Sequence, residues 1–309
     1  MSLALMFPGQ GSQALGMGVD LSAAEPLVAE TFAQASEALG YDLLRVCAEG
    51  PAELLARTDV AQPALLTVSA GVLRALRRDG VKSEASFGHS LGEYSALVAS
   101  GVLSFEDALS LVRRRGEEMQ VAAAAHPGGM VAVIGLEDEA IEALCMEMDG
   151  VWLANYNSPG QVVVSGSVPS LDQLSAQAKA AGARRVIPLA VGGAFHSPLM
   201  NRALGSLEAE LKRATWRAPE SLFYSTCTLS FETRGFVELL LKQLVSPVRF
   251  TQAVERLYAA GYDEFLEVGA GGVLSGLVRR IAPDAVVARV SDVTTLASLR
   301  KDGRYLEGK

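Results

Sequence analysis

Apolar and polar positions along the chain divide into short unbroken hydrophobic runs of strand length and longer stretches with helical spacing. Leu3-Ala4-Leu5-Met6-Phe7 is such a run, closed by Pro8-Gly9, as expected of a buried parallel strand. Helical periodicity is expected over residues 26–39 and again over 63–79, where Pro63 suits a first helical turn and Gly80 a stop. Ala85-Ser86-Phe87 then forms a second short strand, Gly88 to Gly92 a sharp turn, and Glu93 to Ala99 an amphipathic helix. A further helix is predicted over residues 104–123, with Ser104 as its N-cap and Asp107 in an acidic first turn.

Beyond Ala125-His126-Pro127-Gly128-Gly129 the pattern changes. Strands are expected over 130–136, 151–155, 161–166 and 185–189, and helices over 138–148 and 170–181. The order β-α-β-β-α-β is that of a ferredoxin-like unit, which closes its own small sheet. From Ser197 longer helices return, over 199–215, 235–244 and 251–260. A strand over 264–268, the turn Gly269-Ala270-Gly271-Gly272 and a helix over 273–281 follow. The chain is therefore expected to be α/β. A hydrolase-like large domain with a parallel sheet, residues 1–124 and 197–309, is interrupted by a ferredoxin-like subdomain at 125–196.

Composition narrows the function. Half of the 309 residues are hydrophobic, enough for a large core, and a net charge of −8 argues against a general nucleic-acid binder. The clusters Arg113-Arg114-Arg115 and Arg279-Arg280 read first as solvated helix faces, able at most to bind anions locally. Cys47, Cys145 and Cys227 lack metal-ligand spacing and read as reduced thiols, so neither a metal nor a cofactor is expected. A strand begins almost at Met1, leaving no room for a leader, and no apolar run reaches about 18 residues. A soluble, cytoplasmic monomer without a membrane partner is expected.

The candidate chemistry centres on Gly88-His89-Ser90-Leu91-Gly92. Gly-x-Ser-x-Gly between a strand and a helix puts the serine hydroxyl on a tight, exposed turn. The main-chain N–H of Leu91 and the helix N-terminus then face any oxyanion that develops. A glycine-rich turn with an incidental serine is the bland alternative. The chain has three histidines. His126 reads as a surface residue, and His89 as a turn or packing group, since adjacent side chains on a tight turn diverge. His196, in a loop where the inserted unit returns to the large domain, is the better base for Ser90. No carboxylate declares itself as a third catalytic member; Asp263, Glu264 and Glu267 lie in an ordinary strand region. A neutral carbonyl would set the imidazole tautomer equally well, and both options remain open.

Taken together, Phe7-Pro8-Gly9-Gln10-Gly11-Ser12-Gln13, Gly88-His89-Ser90-Leu91-Gly92-Glu93-Tyr94, Arg115-Gly116-x-x-Met119-Gln120, Gly193-Ala194-Phe195-His196-Ser197 and Glu267-Val268-Gly269 resemble the malonyl-CoA:acyl carrier protein transacylase family of fatty acid synthesis. The resemblance covers nearly the whole chain. It implies a malonyl ester on Ser90, His196 as base, and Arg115 as the cation that pairs with the malonyl carboxylate. It also implies an oxyanion hole from the N–H groups of Gln10 and Leu91, and a main-chain carbonyl of Gln243 orienting the histidine. Phe195 corresponds to an aromatic position that goes with malonyl rather than methylmalonyl, and His89 and Met119 fall among the substrate contacts. The implied partners are malonyl-CoA and an acyl carrier protein. An acidic carrier would dock on basic residues such as Lys179, Arg184, Arg185, Arg279 and Arg280. Two departures stand out: Ala270 replaces a usual proline, and Tyr224-Ser225-Thr226-Cys227 lacks the usual asparagine.

Rival readings are a serine esterase, which would need a triad acid and gives Arg115 no task, and an acyltransferase of a polyketide pathway. A dinucleotide-binding module is a third, because Gly9-x-Gly11-x-x-Ala14 follows a strand. It lacks the acidic residue at the end of the next strand, since Glu30 falls in a helical run.

Overall fold

The computed structural model describes residues 2–305. Among them the apolar run Leu3–Phe7 (β1) is buried along its whole length. It lies inside a six-stranded sheet that also contains Ala85–Gly88 (β2), Leu222–Ser225 (β7), Ser230–Glu232 (β8), Glu264–Val268 (β10) and Val286–Val290 (β11). The order is β11-β10-β1-β2-β7-β8, parallel throughout except for the β7–β8 hairpin at one edge. Strands covered on both faces need no polar alternation, which explains the continuous apolar texture of β1. Phe7 and Gly88 pair at the carboxyl ends of neighbouring strands, so the loop carrying Gln10 and the turn carrying Ser90 leave the sheet side by side. A Cβ at Gly88 would overlap the carbonyl of Gly92, and one at Gly92 would overlap the carbonyl oxygen of Phe7. Glycine at both positions lets the helix Gly92–Ala99 sit directly on the strand ends.

The second sheet contains Gly129–Ile134 (β3), Val151–Ser158 (β4), Gln161–Gly166 (β5) and Arg185–Pro188 (β6), in the antiparallel order β6-β3-β5-β4. This is the strand order of a ferredoxin-like unit. The helices Asp138–Glu147 and Val168–Ala180 cover one face, where Val131, Val133, Ile141, Val162, Val164 and Leu174 form a separate core. On the other face Met130, Ala132, Ala154 and Val163 join the main core. The strand period of two thus splits β3 and β5 between two cores. A fifth strand, Val248–Arg249 (β9), pairs in parallel with β4 although it lies far outside residues 125–196.

Two expectations are corrected, and one rival reading is removed. Pro63 does not open a helix; the helix runs Thr58–Arg78 with Pro63 inside it. Almost every residue from Val60 to Ala75 is buried, and that packing outweighs the one backbone bond a proline forfeits. The span 199–215 is not a single helix but a 3-10 turn, Pro198–Ala203, followed by a helix Leu204–Leu211. Met200 and Ala203, three apart, eclipse on the buried side of that turn, as 3-10 geometry requires. The loop from Gly9 leads into no phosphate-binding helix, since the next helix is Val19–Ala24, which removes the dinucleotide reading. No described helix is long and apolar enough to cross a membrane.

Candidate active site

Ser90 has φ 52°, a left-handed conformation that a non-glycine residue adopts only where its surroundings impose it. Gly92 N–H bonds to His89 O at 2.9 Å and Glu93 N–H to Ser90 O at 3.1 Å, closing the turn. Beneath it, Gln243 Nε2 donates to Ser90 O at 2.8 Å and to Glu93 Oε2 at 2.9 Å. Glu93 is fully buried, and its Oε1 accepts from Thr226 N–H at 2.6 Å, Thr226 Oγ1 at 2.8 Å and Ser225 Oγ at 3.1 Å. Burial pushes this carboxyl above its ordinary range, and the donors from Thr226, Gln243 and Ser225 oppose that rise without cancelling it. All of its partners donate, which suits the ionised form. The Ser225-Thr226 stretch, where asparagine was expected, is thus engaged under the nucleophile.

His196, at φ 57°, places Nε2 2.8 Å from Ser90 Oγ. Its Nδ1 faces two main-chain carbonyls, Gln243 O and Ser246 O, each at 3.0 Å. Two acceptors fix the proton on Nδ1 and leave Nε2 as the acceptor for the Ser90 hydroxyl. Among the described residues no carboxylate bonds to this ring. Burial, then the charge of Arg115, lower the imidazole pKa to about 3, so the ring is neutral at physiological pH.

Arg115 is 1% exposed. Its Nη1 donates to Gln62 Oε1 at 3.0 Å, and Nη2 to Ser90 Oγ at 3.0 Å and to Gln243 Oε1 at 3.2 Å. Nε has no partner, and the guanidinium lies 5.7 Å from the centre of the Tyr94 ring. Among the described residues no acid forms an ion pair with it; the nearest carboxylate in its network, Glu93, is reached through the Gln243 amide. A buried cation that contacts the nucleophile and has no anion of its own is an open anion site. Arg113 and Arg114 are different: both are exposed and paired with Glu117 or Glu118 on their own helix.

These groups line a narrow cavity of about 80 Å³ between the two sheets. Gln10, His89, Met119, Met130, Asn155, Leu189, Val191 and Phe195 complete its wall. Met119 Sδ accepts from Gln62 Nε2 at 3.3 Å, and Gln10 Nε2 donates to Thr58 Oγ1 at 3.3 Å. His89 Nε2 lies 2.9 Å from Asn157 Oδ1, with its ring against Phe250. Among the described residues, no acceptor within the protein takes the main-chain N–H of Gln10 or Leu91. The structure therefore gathers Ser90, His196, Arg115, Gln10, Leu91, Phe195, His89, Met119 and Gln243 at one place. His126 is exposed on the surface, and no metal-binding cluster occurs among the described residues. Gln62, Asn155, Asn157 and Ser246 carry no local sequence signal of their place in the site, and Glu93 carries none beyond its position three residues after Ser90.

The model of the acyl transferase domain family matches residues 5–308. The chain belongs to the acyl transferase domain family. The malonyl CoA-acyl carrier protein transacylase of Escherichia coli (strain K12) is 44% identical over 301 residues, covering 96% of this chain and 97% of that relative. A crystal structure of an acyl carrier protein S-malonyltransferase from Vibrio cholerae superposes with a TM-score of 0.93 at 41% identity, covering 97% of this chain and all of that one. A malonyl-transacylase in complex with a type II polyketide acyl-carrier protein, PlMCAT:AntF, superposes at 0.95 with 40% identity, covering 98% of this chain and 100% of the other. Family membership agrees with the α/β fold: a mostly parallel large sheet beside a smaller mixed one.

Proposed function

We propose that this acyl transferase moves a malonyl group from malonyl-CoA to the phosphopantetheine thiol of an acyl carrier protein through a malonyl ester on Ser90. The observation that carries the reading is the buried Arg115 guanidinium, bonded to Ser90 Oγ at 3.0 Å and paired with no acid. An acyl group ending in a carboxylate supplies the missing anion, and a planar guanidinium can grip it through two bonds. Relatives named as malonyl transacylases at 44% identity over almost the full length support the same chemistry.

In the first half-reaction Ser90 Oγ attacks the thioester carbonyl carbon while its proton passes to His196 Nε2. The carbonyl oxygen takes the negative charge toward the N–H groups of Gln10 and Leu91. Collapse breaks the carbon–sulfur bond, and the departing thiolate of CoA takes the proton from Nε2. In the second half the carrier thiol gives its proton to Nε2, its sulfur attacks the Ser90 ester, and Ser90 leaves with the proton. Phe195 fills space beside the malonyl methylene, where one extra methyl is rejected by only about 1–3 kcal/mol. Met119 and His89 close the remaining walls. The same steps serve fatty acid and polyketide pathways. The enzyme works as a cytoplasmic monomer and meets its acidic carrier through the exposed cations Lys179, Arg184, Arg185, Arg279 and Arg280.

Incubation with malonyl-CoA is expected to add one malonyl unit to Ser90, seen by intact-protein and peptide mass spectrometry, and none to Ser90→Ala. Rapid hydrolysis of neutral esters with no transfer to carrier thiol would refute the reading. Reversing the charges of the five cations is expected to raise KM for the carrier protein while leaving acylation by malonyl-CoA unchanged. An unaltered KM would remove the docking surface.

A further inference from the structure

We propose that Asn155 binds the amide N–H of the cysteamine unit that carries the reacting sulfur, and so selects pantetheine thiols in both half-reactions. The proposal rests on the malonyl-thioester reading. In a regular strand Asn155 would share a face with Val151 and Leu153, which pack with the helix-side core of the small sheet. The register of β4 against β5 slips at this point: Leu153 pairs with Val164 and Asn155 with Val163, leaving Ala154 as the extra residue. Tyr156 takes the helix-side place and donates its hydroxyl to Glu142 Oε1 at 2.7 Å. Asn155 is turned instead onto the cavity wall, across from Ser90, His196 and Phe195. Re-aiming one side chain beside a reaction centre is a known use of a β-bulge.

Asn155 is 8% exposed, and its Oδ1 has no hydrogen-bond partner in the protein. A buried acceptor left unpaired is costly, and within a binding cavity it points to a donor on the ligand. No donor of the wall bonds to it: Met119, Met130, Leu189, Val191 and Phe195 are apolar, the side chains of Gln10 and His89 engage Thr58 and Asn157, and Arg115 turns its Nη groups to Gln62, Ser90 and Gln243 while its Nε stays unpaired. The malonyl group cannot either, because its carboxylate, methylene and thioester carbonyl contain no N–H or O–H. The first donor along either thioester is the cysteamine amide, two methylenes beyond the sulfur. CoA and the carrier protein share that unit, so one acceptor serves the donor and the recipient thiol.

The test pairs a protein change with a one-group change in the substrate. Ser90 acylation is measured with malonyl-N-acetylcysteamine and with its ketone isostere, in which CH2 replaces the amide N–H. The unsubstituted enzyme is expected to favour the amide by about ten-fold in kcat/KM, the size of a hydrogen bond whose loss strands a buried acceptor. In Asn155→Ala the preference is expected to fall to about one. If Asn155→Ala lowers both rates by the same factor, so that the preference survives, the side chain is structural and the proposal is overturned. Absence of any preference in the unsubstituted enzyme overturns it too. Failure of Ser90 to be malonylated from either compound would instead refute the malonyl-transfer reading, and this proposal with it.

Discussion

Arg115→Ala is expected to lower kcat/KM for malonyl transfer by about 100-fold or more while changing acetyl transfer only a few-fold. Removing one partner of a buried charge pair typically costs about 2–5 kcal/mol, which spans this range. The acetyl group has no carboxylate to lose. Competition between malonyl-CoA and acetyl-CoA at a fixed enzyme concentration measures the switch. Equal losses for both acyl groups would end the case for a carboxylate anchor. The same variant has a second signature in pH. The positive charge of Arg115 is, after burial, the main cause that lowers His196 to about 3. A base with a depressed pKa stays unprotonated as pH falls, so kcat/KM of the unsubstituted enzyme should keep its value well below the ordinary histidine range near 6.5. In Arg115→Ala one depressing cause is gone, and the acidic fall in rate should move to higher pH. A bound malonyl carboxylate offsets the same charge, so seating the substrate raises the basicity of the imidazole when a proton must be taken. If the pH profiles of the two proteins coincide, this coupling is absent.

Glu93→Ala is expected to destabilise the fold by about 3–5 kcal/mol, because it strands several buried donors and opens a hole under the nucleophile. For a chain of this size that corresponds to a melting temperature lower by about 5–8 °C. Thermal denaturation followed by circular dichroism reads it, and a fall of only a degree or two would show that Glu93 is dispensable. Glu93→Gln is the sharper variant. The chain of bonds from Arg115 Nη2 to Gln243 Oε1, and from Gln243 Nε2 to Glu93 Oε2, has one direction, set by a cation at one end and an acid at the other. An amide at residue 93 can keep its oxygen toward Thr226 only by turning N–H groups toward Gln243 Nε2. Gln243 must then lose a bond or flip and face Arg115 with a donor. Malonyl transfer in Glu93→Gln is therefore expected to fall about ten-fold in kcat, with melting lowered less than in Glu93→Ala.

The parts of the chain that announced themselves follow local rules. The unbroken apolar run of β1 became a central parallel strand, and Ser104 caps its helix by accepting from Asp107 N–H at 3.0 Å. The apolar runs of β3 and β5, buried on both sides, yielded a sheet shared between two cores, and Gly88-x-Ser90-x-Gly92 yielded a turn that only glycines at its ends permit. Position 115 stood apart from 113 and 114 by resemblance, and burial gives the physical reason: its neighbours bond to acids on their own helix, whereas it points inward. What was not legible depends on residues distant in the chain. Gln62 and Arg115 are 53 positions apart, Gln243 and Glu93 are 150, and no periodicity links them. A strand of two residues such as β9 lies below any sequence pattern, and the bulge at Ala154 reverses the side that alternation would assign to Asn155. The helix around Pro63 shows tertiary burial overriding a local breaker.

The pairing of β9 with β4 makes the site a seam between the sheets. Val248 follows Ser246, whose carbonyl holds His196, and Thr251 Oγ1 donates to Tyr156 O at 3.1 Å. The ferredoxin-like unit is therefore no detachable cassette. Cutting it out at 125–196 would remove His196 itself, strip β9 of its neighbour and leave the carbonyls of Gln243 and Ser246 without the ring they hold. Swapping it for a relative's unit would transplant part of the catalytic alignment with the substrate pocket. Chimeras joined within this family are better cut where no strand of one sheet relies on a residue from the other.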